Sequence, residues 1–284
     1  MTELKNTFLL LRFHFSFFLL PVFLFGLSQV PDINWADAFL LLIVLHLLVY
    51  PASNGYNSYI DKDTTPIGGL ERPPQPGKSL FWITVVMDVL ALLITFALIN
   101  LITGLFVLIY ILASRAYSSR LIRLKKYPVT GFLTVFIFQG AWIFLAVIKS
   151  QDYSPDSALI YRSLIASLLI GAMYPLTQIY QHEADRKDSV TTLSMKLGIR
   201  GTFYFSIVLY LISIFLLMTY CSSDEFIVFM IINLPVVVFF LWWAYKCHMK
   251  PNAANFRNAY TMNIISGACN VMCFLGFIYI NHFA

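Results

Sequence analysis

The chain has 284 residues, 59% of them hydrophobic and only 12% charged, with a mean hydropathy of +0.76 and a net charge of +5. Soluble domains carry about twice that charged fraction, so a soluble globular fold is excluded, as is a disordered chain, which needs low hydrophobicity and high net charge. Apolar runs near 20 residues recur from end to end without the alternating period of barrel strands, so the predicted fold is all-α, a polytopic membrane helical bundle forming one domain over residues 1–284.

The first run, 8–28, is too long for the core of a signal peptide and is expected to stay as an anchor. Further spans are predicted over 36–59, 79–99, 101–119, 128–148, 157–181, 202–220, 225–246 and 258–281, nine in all. Short turns at 100–101, 149–156 and 221–224 alternate with long polar connections at 61–78, 120–127, 182–200 and 247–257, so the two kinds lie on opposite sides of the membrane. Of the 19 Lys and Arg, Lys149 and Arg162 fall near the short turns, and the other 17 lie at the N-terminus or in and beside the long connections. The positive-inside rule then places the N-terminus and the long loops in the cytoplasm and the C-terminus outside; the expected location is a bacterial inner membrane. A basic collar spread around a hydrophobic body is not a nucleic-acid footprint, and no nucleic-acid partner is expected.

Six of the 14 acids (Asp32, Asp37, Asp152, Asp156, Asp224, Glu225) fall on the external side and need no functional account. Two other groups are informative. At the end of the second span, Asn54, Asn57 and Asp61 are spaced three and four residues apart and share one helix face, with Asp63 just beyond; at the end of the sixth, Gln178, Gln181, Asp185 and Asp188 repeat the arrangement. Two oxygen-bearing stripes on one side of a membrane suit Mg²⁺, which takes oxygen ligands, keeps several waters and bridges carboxylates to phosphate. Carboxylates alone would repel a diphosphate; the metal reverses that sign, and Arg72, Arg123, Lys125, Lys126, Arg186 and Lys187 in the same loops supply charge for the remaining phosphate oxygens. Each stripe taken alone also reads as a solvated helix end. Placed at the mouth of an apolar bundle, the pair suits a substrate with a charged head and a long hydrocarbon tail, and among 26 Phe, 16 Tyr and 5 Trp some are available to line a tail cavity.

Other polar residues admit two readings. Asp88 lies near the middle of the third span, where an ionisable group marks function or is paired within the bundle. Arg115 either snorkels to the interface or meets phosphate. His14 and His46 read as satisfied core residues, and His182 as a loop residue beside the second stripe. Cys221, Cys247, Cys269 and Cys273 form no metal-spaced group and read as small apolar fillers. No GxGxxG, Walker A, HExxH or GxSxG pattern is present, which leaves nucleotide chemistry and serine hydrolysis without support.

These residues resemble the UbiA superfamily of intramembrane prenyltransferases, whose members have nine helices and Asp-rich motifs of NxxxDxxxD and DxxxDxxxD type after the second and sixth. The run from Asn57 through Asp61 and Asp63 to Thr65, followed by Pro66 to Pro74, resembles the first motif. Asp185-Arg-Lys-Asp-Ser-Val-Thr-Thr-Leu-Ser-Met-Lys-Leu-Gly198 resembles the second. Tyr117-Ser-Ser-Arg-Leu-Ile-Arg-Leu-Lys125 with Pro128 and Gly131 is similar to the stretch before the fifth helix, and Arg12 and Pro21 to the first helix. The chain departs from the pattern at Thr65, Gln178 and Gln181, where the family carries Asp, and at Leu121, where it carries Pro. Fewer anionic ligands are expected to weaken a Mg²⁺ site.

The resemblance implies transfer of a prenyl group from an allylic prenyl diphosphate to an aromatic or lipid acceptor, with Mg²⁺ as cofactor and membrane lipid as surroundings. It implies catalytic roles for Asp61 and Asp185, metal contacts from Asn57, Asp61, Asp63, Gln181, Asp185 and Asp188, and diphosphate contacts from Arg72, Arg123, Lys125, Arg186 and Lys187. Acceptor and chain length stay open at this point. So do two other functions: an intramembrane terpene cyclase, and a non-catalytic lipid-binding or transport protein.

Overall fold

Backbone N–H and C=O groups find no water in a bilayer, so long apolar runs are stable there only as helices that bond internally. The computed structural model describes residues 2–284 and follows that rule. Among the described residues, eight helices are long and apolar enough to cross a membrane: α1 (Glu3–Ser28), α2 (Trp35–Asp61), α3 (Lys78–Ile99), α4 (Leu101–Ser118), α5 (Pro128–Ser150), α6 (Ser157–Gln178), α7 (Leu193–Tyr220) and, after a bent pair, the last helix (Phe256–His282). The pair, Ser223–Ile232 and Leu234–Met249, bends by 44° and passes the same test as one span. It is α8 and the last helix is α9. The bend falls at Asn233 and Pro235, where a proline near the start of the second segment cannot continue the hydrogen-bond ladder.

The observed bounds fall close to those read from hydropathy, with one clear exception. The seventh span begins at 193, not 202. Thr192 caps its first turn by accepting from the Met195 N–H, and the helix runs through Gly198, whose φ of 67° lies in the left-handed region that glycine enters without steric cost. The turn from 193 to 197 thus stands at an angle to the rest of α7. Its polar sequence is what made it read as loop.

Three features inside the spans position the cavity described below. Arg12 adopts a left-handed conformation (φ 49°, ψ 51°), which breaks α1 between Leu11 and the 3₁₀ segment Phe13–Leu19. In α5 the segment Phe136–Ala141 is π-helical, a register change that re-aims side chains, and Gln139 within it reaches the cavity wall. Beside it Gly140 lets α5 approach α6 closely: a Cβ there would lie 2.3 Å from Ser167 Cα, and Ser167 Oγ accepts from the Ala141 N–H at 2.8 Å. The main core lies toward the end of the bundle away from the Asp-rich motifs, where Phe25 stacks on Phe274 with ring centres 4.6 Å apart and packs edge-on against Phe144.

Asp88 is paired. It accepts from Arg115 Nε at 2.9 Å, and Arg115 also donates to the Thr84 carbonyl at 3.2 Å and lies over the Tyr56 ring. A charge inside a span is thereby neutralised between α3 and α4. Glu225, expected to need no account, is instead 2% exposed. It accepts from Gln29 at 2.7 Å, Asn281 at 3.0 Å and the Ser222 N–H at 2.8 Å, which joins the ends of α1, α8 and α9.

Candidate active site

The Asp-rich stripes meet at one end of the bundle. The final segment of α2, Tyr50–Asp61, is a regular helix, so Asn54, Asn57 and Asp61 share a face as the spacing predicts, and all three line a cavity of about 230 Å³. The second stripe is not one continuous helix. The α6 span tightens to 3₁₀ geometry at Tyr174–Gln178, turns, and resumes as the short helix His182–Lys187. Gln178, Gln181 and Asp185 still reach the same cavity. Asp188 does not line it: its carboxylate pairs with Arg120 at 2.8 Å and with Arg123.

The two groups interlock. Lys125, from the connection before α5, bonds Asp61 Oδ2, and Arg123 lies 3.8 Å from Asp61 Oδ1 while holding Asp188. Asn57 donates to Ser118 at 2.9 Å and Gln181 to the Pro66 carbonyl at 3.4 Å, so the first motif is tied to both α4 and the second motif. The remaining predicted cations, Arg72, Lys126, Arg186 and Lys187, are exposed and do not line the cavity. Lys187 pairs with Glu183 at 2.8 Å.

Several buried oxygens here have no hydrogen-bond partner among the described residues: Asp61 Oδ1, Asp185 Oδ2 and Gln178 Oε1. Burial and the neighbouring Asp61 outweigh Lys125 and Arg12 and push Asp63 up to about 6. Burial, opposed by Lys125 and reinforced by Asp63 and Asp61, pushes Asp185 up to about 7. Asp188 behaves oppositely: burial raises it, but the hydrogen bonds and charges of Arg120 and Arg123 prevail and hold it below its ordinary value. A cavity with three carboxylates, surplus acceptors and raised proton affinities attracts a cation. Oxygen-only donors suit a hard divalent ion. Among the described residues no three Asp, Glu, His or Cys side chains converge tightly enough to hold an ion unaided.

Arg12 carries more of the site than its place in the first span conveyed. It is 6% exposed, lines the cavity, and donates to the Gly68 carbonyl at 3.0 Å and the Asn54 carbonyl at 3.1 Å, clamping the first-motif loop to α2. A lone arginine inside an apolar run was the available signal. Tyr117 and Tyr174, hydroxyl to hydroxyl across α4 and α6, also line the cavity; Tyr117 heads the Tyr117–Lys125 stretch that resembles the family, whereas nothing in its sequence context distinguishes Tyr174 from other aromatic residues. His14 contacts the Gly69 carbonyl at 3.1 Å and His182 the Ser194 hydroxyl at 2.8 Å, so both support loops.

Below the carboxylates lies a second cavity of about 190 Å³, lined mainly by α1, α6 and α9. It shares Phe15, Ser53, Asn54, Tyr110, Gln139, Tyr174 and Thr177 with the first, so a charged mouth passes into an apolar interior.

The model of the UbiA prenyltransferase family matches residues 16–267. Digeranylgeranylglyceryl phosphate synthase of Methanosarcina mazei is 28% identical over 196 residues, which span 66% of this chain and 66% of that protein. Lycopene elongase/hydratase of Corynebacterium glutamicum is 26% identical over 202 residues, 69% of each chain. The fold is similar to that of a UbiA homologue from Archaeoglobus fulgidus solved bound to DMAPP and Mg²⁺, with a TM-score of 0.71 at 18% identity over 97% of this chain and 99% of that one. With nearly the whole sequence matched and the two oxygen-bearing motifs meeting at one cavity, the chain belongs to the UbiA prenyltransferase family.

Proposed function

We propose that this single-domain chain, residues 1–284, moves a prenyl group from an allylic prenyl diphosphate to a hydrophobic aromatic or lipid acceptor within the membrane. One observation carries the reading: buried carboxylates with unpartnered oxygens stand at the mouth of a cavity that continues into an aromatic, apolar chamber. The relatives, a digeranylgeranylglyceryl phosphate synthase, a lycopene elongase/hydratase and a UbiA homologue solved bound to DMAPP and Mg²⁺, support it.

In this reading Asn57, Asp61, Asp63, Gln181 and Asp185 hold Mg²⁺ and the diphosphate. Asp188 contributes from outside the cavity by fixing Arg123. When bound, Mg²⁺ offsets the negative charge that grows on the departing diphosphate. The chain supplies further stabilisation of the same kind: Lys125 and Arg12 line the cavity as preorganised cations, and Arg123 stands behind Asp61. Exposed Arg72, Arg186 and Lys187 add positive potential that draws the anion toward the mouth. Departure leaves an allylic cation, and the π faces of Phe15, Tyr110, Phe138 and Tyr174 along the wall stabilise positive charge while keeping water away.

The loops bearing the site face the cytoplasm of a bacterial inner membrane in this reading, supported by the crowding of Lys and Arg at that end. The test is diphosphate release and product analysis by the purified chain in lipid nanodiscs, supplied with GPP, Mg²⁺ and a panel of acceptors. A prenylated acceptor, lost in Asp61→Ala and in Asp185→Ala, supports the reading. Full activity in either variant would sink the site assignment. A cyclic hydrocarbon formed without acceptor would identify a terpene cyclase, and binding of GPP with Mg²⁺ but no diphosphate release would favour a lipid-binding protein.

A further inference from the structure

The two joined cavities have different walls. The carboxylate-bearing one extends along α5 past Val135 and Phe138; the other runs between α1, α6 and α9. No residue lining the second cavity is charged, yet it is not purely apolar, and its polar groups are arranged unusually. On α9, Asn263, Ser266 and Asn270 follow spacings of three and four and line it from one face. Asn270 is 7% exposed and its amide N–H₂ donates to the Ser266 carbonyl at 2.9 Å. Because that partner is an acceptor, the orientation of the amide is fixed, and Oδ1 is the atom left without a partner. On α2, Tyr50 lines the same cavity and is 1% exposed, and its buried hydroxyl also lacks a partner.

A chamber for hydrocarbon alone gains nothing from a free carbonyl and a free hydroxyl at mid-membrane, and each is costly when unmet. A charged headgroup would meet no counter-charge here. We infer that the second cavity holds an uncharged, hydroxyl-bearing acceptor molecule, whose hydroxyl donates to Asn270 Oδ1 with the Tyr50 hydroxyl as the available donor to it. The donor's hydrocarbon then takes the α5 wall of the first cavity. The inference rests on the two-substrate reading above and narrows its acceptor from any aromatic or lipid molecule to a neutral phenol or alcohol; the hydroxyl is a recognition handle.

The experiment measures binding to the full chain in nanodiscs of three probes of one carbon skeleton: 4-nonylphenol, its methyl ether, which cannot donate, and its phosphate ester, which is anionic. Mg²⁺-dependent GPP binding is measured on the same preparation. The phenol is expected to bind about tenfold tighter than the ether, and the phosphate ester more weakly than the phenol. Asn270→Leu should bring phenol and ether to equal affinity, whereas Tyr50→Phe, which removes a donor that both oxygens can accept from, should weaken both probes and leave their ratio nearly unchanged. Equal binding of phenol and ether to the unaltered chain would overturn the inference without requiring any variant to fold, as would preference for the phosphate ester. So would an unchanged phenol-to-ether ratio in Asn270→Leu. If GPP fails to bind while the phenol preference holds, the donor reading falls and the cavity assignment stands; if GPP binds and no phenol does, the reverse is true.

Discussion

Buried carboxylates occur at both ends of this bundle, and they are treated in opposite ways. Glu225, at the end away from the motifs, receives hydrogen bonds from Gln29, Asn281 and a backbone N–H, so its charge is met within the protein. Asp61 and Asp185, at the motif end, each keep an oxygen with no partner, and Asp63 and Asp185 hold their protons far above the ordinary carboxylate range. Glu225 is the more deeply buried, yet it is the one whose charge is better provided for. A carboxylate that the fold satisfies is structural, while in the proposed reading one that the fold leaves short is a ligand for a cation.

The sharpest way to break this contrast is to remove one carboxylate from each class. Asp61→Ala and Asp185→Ala should each lower kcat/KM for Mg²⁺-dependent prenyl transfer by about a hundredfold or more, Asp185→Ala with little loss of thermal stability and Asp61→Ala with some, because the largely buried Lys125 loses its partner. Glu225→Ala should do the reverse, destabilising the protein by about 2–3 kcal/mol because three donors lose their acceptor, while the Mg²⁺ concentration for half-maximal activity stays unchanged. Thermal melts and Mg²⁺ titrations on the same samples separate the two outcomes. Asp88→Asn, which leaves Arg115 inside the bilayer with a neutral partner, should cost about 1–2 kcal/mol in the same melts.

A subtler test uses pH. The unfolded chain releases the protons of Asp63 and Asp185 near 4, whereas the folded chain keeps them to about 6 and about 7. The folded state therefore binds more protons in that window, and metal-free stability falls as pH rises from about 4 to about 7. Mg²⁺ selects the deprotonated carboxylates, so it should raise Tm by more at about pH 8 than at about pH 5.5. An equal rise at both values would argue against these residues as ligands. The smallest effect is expected from Asp188→Asn, a few-fold loss in activity through release of Arg123, since Asp188 is itself 38% exposed and outside the cavity.

The spans were legible because hydropathy is a property of composition over some 20 residues, and a bilayer enforces it. The pairing of the stripes was legible for a related reason: Asn54, Asn57 and Asp61 sit on an undistorted helix, where spacing maps directly onto direction. Where the helix is distorted the map fails. Gln178 and Asp185 reach the cavity through a 3₁₀ segment and a turn, and Asp188 at the next position of the stripe swings to Arg120 and Arg123. Arg12 stands out as a lone charge in an apolar run, but its own left-handed backbone, which aims it at the motif loop, and the π-helical register change that aims Gln139 have no local signature in the sequence. Glu225 looked like an ordinary exposed helix start because its partners, Gln29 and Asn281, are 196 and 56 residues away.

The contacts between α1 and α9 bear on the inner cavity. The two spans meet through Gly267 against Phe17, Phe25 stacked on Phe274, and Asn281 donating to the Ser28 carbonyl at 2.8 Å. Both also line that cavity, α1 with Phe18, Leu19 and Val22 and α9 with Asn263, Ser266 and Asn270. Their seam is therefore a wall of the cavity that no connecting turn holds shut, and its tightness rests on side-chain contacts alone.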